Sequence, residues 1–185
     1  MRIVAGKFRS RPIRAVKGMN TRPTLDKVKE AVFNSIGPYF EGGAMLDLFG
    51  GSGNIGLEAL SRGIEQVVFV DKDAEAVRTI KKNCESLQVS NQVQIWKTDY
   101  NSALRRCAQE KRSFDLIYLD PPYAAQQIEK IIVYIQEKQL LKKGGRIIAE
   151  SLREDGFFKR TGDIFLIKEA FYGITRISIY EREEE

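Results

Sequence analysis

A short apolar run, AMLDLF, passes without a spacer into GGSGNIG and then into the helical pattern IGLEALSRG, and this junction leaves few folds open. Gly51, Gly53 and Gly56 match G-x-G-x-x-G, in which glycine lets the backbone turn tightly and approach a ligand closely. Strand and helix then alternate. QVVFVD, QVQIWKTD, FDLIYLD and RIIAES read as strands, and AEAVRTIKKNCESL, SALRRCAQE and QQIEKIIVYIQEKQLL as helices, the last ended by Gly144-Gly145. Apolar strands separated by helices predict a parallel sheet covered on both faces. IFLIKEAFY and ITRISIYER flank Gly173 with too little chain for a crossover helix, so they should pair as an antiparallel hairpin. The expected class is α/β and Rossmann-like, with a seven-stranded, mostly parallel sheet and an antiparallel C-terminal hairpin.

Before this alternation lies a basic segment. Residues 1–25 contain seven Lys or Arg and no acid, whereas the whole chain is +5, so the remainder is slightly acidic. Two short strands, around Arg2–Ala5 and Pro12–Val16, should form a hairpin through the basic turn GKFRSR. Such an arm on a near-neutral body suits a polyanion, or else is a solvated hairpin. Lys7, Arg9, Arg11 and Arg22 are the candidate phosphate-binding residues for a nucleic acid or other polyanion, with no large part expected for the arm in cofactor binding. Arg22 adjoins a helix start and is equally placed to close over a cofactor. Leu25, Val28, Val32 and Ile36 recur at helical spacing, with Thr24 as N-cap, Asp26 in the first turn and Gly37-Pro38 as the stop. The 185 residues fit one domain, with 1–24 as arm and loop, 25–180 as the core and 181–185 as a solvated acidic tail.

Composition removes several kinds of protein. No histidine is present, which excludes His triads, a His general base and His-rich zinc sites. Cys84 and Cys107 fit no metal or redox spacing and read as buried free thiols. No apolar run approaches the roughly 18 residues that span a bilayer, and the N-terminus lacks a signal-type apolar stretch, so a cytoplasmic protein without membrane contact is expected.

The glycine loop predicts a nucleotide-like ligand at the carboxyl ends of the strands. Asp71 ends the next strand, 20 residues after Gly51, where a carboxylate accepts hydrogen bonds from ribose hydroxyls. NAD fits that much equally well. Asp47, in the strand before the glycines, would attract a cationic ligand instead. Asp99 closes the third strand, where the acid or its neighbouring backbone would meet an adenine amino group. GGSGNIGLE lacks the Lys-Ser/Thr of an ATP-type phosphate loop.

FDLIYLD runs into Pro121, Pro122 and Tyr123 at the same strand edge. Prolines stiffen the turn and donate no N–H, leaving carbonyl acceptors. An exocyclic base amine is a poor nucleophile, because its lone pair delocalises into the ring. Acceptors aimed at its N–H groups, here the Asp120 carboxylate and the Pro121 carbonyl, polarise the nitrogen, and Tyr123 would stack on a flipped-out base. The nitrogen becomes more acidic as it is alkylated, so neither a strong base nor a metal is called for. A nicotinamide oxidoreductase leaves this turn unexplained. A non-catalytic RNA-binding protein on a decayed enzyme fold leaves the intact acids unexplained.

DLFGGSGNIG, VFVDKD and LDPPY resemble the motifs of class I S-adenosylmethionine-dependent methyltransferases that modify amino groups. RIVAGKFRSRPI, TRPTLDKVKEAVFNSI and LDLFGGSGNIGLEALSRG resemble the RsmD family of bacterial 16S ribosomal RNA guanine-N2 methyltransferases. The resemblance runs from Arg2 to about Tyr180, and Gly50 stands where many members carry alanine. It implies S-adenosylmethionine held by Asp47, Phe49, Gly50, Gly51, Gly53, Asp71, Lys72, Asp99 and Tyr100, and catalysis at Asp120, Pro121, Pro122 and Tyr123. The implied substrate is 16S rRNA in the small subunit or an assembly intermediate, met by a monomer.

Overall fold

The computed structural model describes residues 1–18, 23–122 and 124–185, without the side chains of 23–25 and 124–126. The predicted roles of Arg22 and Tyr123 therefore fall outside the described residues. The chain divides into two compact units, Met1–Ala103 and Leu104–Glu185. The division falls within a helix.

In the first unit, helix α1 (Pro23–Ile36) is followed by β1 (Ala44–Asp47), α2 (Asn54–Ser61), β2 (Gln66–Asp71), α3 (Ala74–Ser86), β3 (Val93–Lys97) and the start of α4 (Tyr100–Gln109). The strands lie in the order β3-β2-β1, all parallel, with Asp47 opposite Phe69 and Asp71 opposite Lys97. Met45, Leu46, Val67, Phe69 and Val70 are almost fully buried, as expected for strands covered on both faces. Helix α1 begins one residue before the expected cap. Pro23 takes the first helical position, where its missing N–H costs nothing, so Thr24 lies inside the first turn.

The basic arm folds back on itself more sparingly than two strands would. Among its described residues the β-pairing is the single bridge between Arg2 and Pro12, supported by Ile3 N–H to Arg11 O and Ile13 N–H to Met1 O. Ile3, Ile13 and Val16 are buried, so apolar side chains pin the arm to the unit and the sparse pairing suffices.

The second unit contains the rest of α4, then β4 (Phe114–Leu119), α5 (Ala124–Glu137), β5 (Leu141–Leu152), β6 (Arg160–Thr161), β7 (Ile164–Tyr172) and β8 (Thr175–Arg182). The order is β4-β5-β8-β7-β6, with β4 and β5 parallel and the remaining pairs antiparallel. The class is the expected α/β, with the antiparallel C-terminal hairpin, but among the described residues the strands number eight rather than seven. The extra one is β6, two residues long and without a readable pattern.

Two boundaries also differ. Helix α5 stops at Glu137, where Gln139 turns left-handed (φ 55°) and Leu140 N–H closes back on Ile135 O. Gly144-Gly145 therefore lies within β5 and does not end the helix. The acidic tail is held as far as Glu183: Glu181 pairs with Arg146 at 3.0 Å, and Glu183 pairs with Arg160. Among the described residues no helix is long and apolar enough to cross a membrane. Both cysteines are buried and free, with thiols pushed up by burial to about 12 for Cys84 and about 11 for Cys107.

Candidate functional site

The glycine loop leaves β1 and enters α2. Gly50 N–H donates to Val70 O at 2.8 Å and Gly51 N–H to Asp71 Oδ2 at 2.9 Å, so the end of β2 shapes the first half of the loop. Gly51 adopts φ +58°, and a Cβ placed there would meet open space. The loop backbone is thus uncovered on that side. Gly56 works differently: a Cβ on it would sit 2.3 Å from the Phe69 ring, so glycine is what lets α2 rest on β2. Gly53 opens α2 in the left-handed region at φ +85°.

Asp71, half-buried, also accepts from Asp73 N–H at 2.9 Å, so both of its oxygens are oriented by backbone donors and keep further lone pairs. Lys72 beside it is exposed. Asp47 is 2 % exposed and accepts from Gly56 N–H at 3.3 Å. Burial raises its carboxyl to about 7; the Gly56 N–H opposes this and the Asp71 charge reinforces it.

Strand β3 ends at Lys97, two residues before Asp99. Asp99 is exposed and caps α4, accepting from Ser102 N–H at 2.9 Å and Ser102 Oγ–H at 2.8 Å. These bonds hold its carboxyl below the ordinary value. The carboxylate is thus occupied by a helix cap, leaving the adjoining backbone as the alternative already considered for an adenine edge. Tyr100 follows, and its ring lies 5.5 Å from that of Phe49. Within the first unit, the candidate cofactor residues offer a bare glycine backbone, two carboxylates and an aromatic pair.

In the second unit, Asp120 follows β4 directly and is exposed, Pro121 is buried and Pro122 is exposed. Beside this turn is a group the motif did not reveal. Tyr118 Oη–H donates to Glu150 Oε2 at 2.8 Å, and Glu150 lies one residue past the Leu119–Ala149 pairing. Burial raises the Glu150 carboxyl, against the pull of the Tyr118 hydrogen bond.

Sequence reasoning also missed a buried charge cluster in the first unit. Glu58 and Lys29 have fully buried side chains 3.8 Å apart, and Arg62 lies 3.7 Å from Glu58. Glu58 accepts from Val4 N–H at 2.8 Å and 3.1 Å, so it anchors the arm. The i,i+4 spacing of Glu58 and Arg62 was readable, but charges on a helix read as a solvated face until burial is known. Of the arm cations, Lys7, Arg9 and Arg11 are exposed. Arg11 donates to Ser86 O at 2.8 Å, and Lys7 lies 5.4 Å from the centre of the Phe8 ring.

Parallel strands with a glycine loop after β1, acids after β2 and β3, an Asp-Pro-Pro turn after β4 and an antiparallel hairpin at the end define an α/β protein of the methyltransferase class. A solved structure described as "Putative methyltransferase yhhF from Escherichia coli" superposes with a TM-score of 0.86 at 25% identity, covering 100% of this chain and 99% of that one. The chain belongs to the RsmD family of ribosomal RNA methyltransferases: the family model described as Conserved hypothetical protein 95 matches residues 1–181. Among its relatives is "Putative rRNA methyltransferase YlbH" of Bacillus subtilis, 43% identical over 98% of this chain and 99% of that one. "Ribosomal RNA small subunit methyltransferase D" of Haemophilus influenzae is 32% identical over 98% of this chain and 93% of that one.

Proposed function

We propose that this protein transfers a methyl group from S-adenosylmethionine to the exocyclic N2 amine of a guanine in small-subunit ribosomal RNA. The observation that carries the reading is the turn after β4, where an exposed carboxylate is followed by two residues that have no N–H to donate. The carboxylate and the two proline carbonyls are acceptors with no N–H on either proline beside them, which suits an aromatic amine. The small-subunit relatives, matched along nearly their whole length, support the choice of substrate.

The donor supplies an electrophilic methyl group on a cationic sulfur. The residues of the first unit fit it: Gly51 offers a bare backbone, Asp71 keeps free lone pairs for ribose hydroxyls, and the Phe49 and Tyr100 rings give an apolar surface for a base. Asp47 gains by facing a cation, since a nearby positive charge returns a buried carboxyl toward its ionised form. Lys72 and Gly50 border the same ribose and loop. At the second unit, the Asp120 carboxylate and the Pro121 carbonyl draw on the two amine hydrogens and make the nitrogen lone pair available for attack. The N–C bond forms as the S–C bond breaks, and the nitrogen then loses a proton to solvent. Positioning and electrostatics do the catalytic work without a covalent enzyme intermediate. Lys7, Arg9 and Arg11 hold phosphates beside the target.

The test is methylation of a 16S rRNA transcript made in vitro, followed by nuclease digestion and mass spectrometry of the nucleosides. N2-methylguanosine is the expected product. N6-methyladenosine or N4-methylcytosine would assign the same turn to a different base. Tight binding of NAD with none of S-adenosylhomocysteine would overturn the reading altogether.

A further inference from the structure

Two buried side chains tie the basic arm to the second half of the glycine loop. Asn83, on α3 and 2 % exposed, uses its whole amide group. Its Oδ1 accepts from Arg14 N–H at 2.9 Å, and its Nδ2 donates to Arg14 O at 3.0 Å and to Ser52 O at 2.9 Å. Lys29, on α1 and 1 % exposed, donates to Arg2 O at 2.6 Å and to Asn54 Oδ1 at 2.8 Å. Ser52 and Asn54 flank Gly53. The loop is therefore held from two sides: Gly50 and Gly51 by the end of β2, Ser52 and Asn54 by the arm through one intermediary each.

We propose that the arm is a structural part of the cofactor site, and that Asn83, seconded by Lys29, is a positioning residue that sets the conformation of the cofactor loop. This departs from the expectation that the arm has no large part in cofactor binding, and it rests on the reading of the glycine loop as the cofactor loop. The physical reason is accounting of polar groups. Ser52 O and both Arg14 main-chain groups take their partner from one buried amide, so its loss leaves three part-buried main-chain groups without that partner and frees the loop and the arm to rearrange. A loop that must hold one backbone shape open to a ligand loses affinity when it samples others, because the competent fraction falls. Coupling of this kind is reciprocal, so whatever fixes the loop also fixes Arg14.

Asn83→Ala should weaken S-adenosylhomocysteine binding about tenfold in calorimetry, the scale of one or two lost hydrogen bonds. It should raise the cofactor KM while leaving kcat close to wild type. Ser61→Ala is the control. It removes the hydroxyl that bonds Ala5 O at 2.6 Å and Phe8 N–H at 2.9 Å, an arm anchor that does not touch the loop. It should lower Tm comparably and leave affinity within about twofold. Equal losses of affinity in both variants, or none in either, overturn the proposal. A second measurement needs no variant: in the wild-type protein, saturating S-adenosylhomocysteine should slow amide exchange at Arg14 as well as at Gly51–Gly53. Protection of the loop with Arg14 unmoved would sever the link. A wild-type protein that fails to bind S-adenosylhomocysteine at all would instead sink the cofactor reading, and the inference with it.

Discussion

At the scale of single residues, the site combines acids in opposite electrostatic conditions. Asp99 is exposed, and its hydrogen bonds favour its charge, whereas Asp47 is buried and its carboxyl sits near 7. A folded-state value above the ordinary 3.8 means that the native protein holds the Asp47 proton more tightly than the unfolded chain does. Stability is then complete below about 4 and is lost as pH rises toward about 7. Asp47→Asn stays neutral and keeps an acceptor for Gly56 N–H. Its unfolding free energy should match wild type near pH 4 and exceed it at pH 8, by up to about 4 kcal/mol if the whole shift is released. The same variant should bind S-adenosylmethionine more weakly, because the attraction for a cation is gone. A variant no more stable than wild type at pH 8 would show that Asp47 is ionised at no cost. Asp120 belongs to the chemistry instead. Asp120→Ala should cut single-turnover methylation by about two orders of magnitude or more, with affinity for S-adenosylhomocysteine nearly intact, and Asp120→Asn should be milder because its amide oxygen still accepts. Near-normal turnover in the alanine variant would remove Asp120 from the mechanism.

At the scale of elements, the strands that carry the site were legible because each is a short buried run ending in a marked residue: β1 before the glycines, β2 at Asp71, β4 before Asp120. What the sequence concealed has a physical cause in each case. Leu140 and Leu141 continue the apolar spacing of α5, so the left-handed turn at Gln139 that ends the helix was invisible, and so was the early start of β5. Glu58, Lys29 and Asn83 are polar residues on helices, with Arg62 just past the end of α2, and only the folded chain shows that they are interior. The docking of α2 on β2 can be tested through Gly56. Alanine there gains about 1 kcal/mol of helix propensity but sets a methyl group against a ring that is 0 % exposed. Overpacking of that kind costs about 1–3 kcal/mol, so the steric loss should win. Gly56→Ala is expected to lower Tm by a few degrees and to weaken cofactor binding by displacing the start of α2. An unchanged melting curve would mean that Phe69 moves aside freely.

At the scale of the whole molecule, charge is the feature that separates the arm from the rest. Seven basic residues without an acid precede a slightly acidic remainder in a chain of net +5. The described arm cations Arg2, Lys7, Arg9, Arg11, Arg14 and Lys17 are exposed, while the arm's apolar side chains and much of its backbone are committed to the fold. That division leaves the cations at the surface of a segment whose backbone is held by the fold. An RNA held through phosphates should lose affinity steeply with salt, with a log–log slope of roughly −0.7 to −0.9 per phosphate contacted. The double variant Arg9→Ala/Arg11→Ala should flatten that slope by up to about two units and raise the KM for RNA. Arg11 is already bonded to Ser86 O, so part of its effect should appear as lost stability, whereas Arg9→Ala alone should act on RNA binding with Tm unchanged. Affinity for S-adenosylhomocysteine should hold in both, because neither side chain touches Asn83 or Lys29. The decisive measurement is RNA affinity over a salt series for the wild type and the double variant. Coincident lines would place the phosphate contacts on another face and leave the arm its structural part alone.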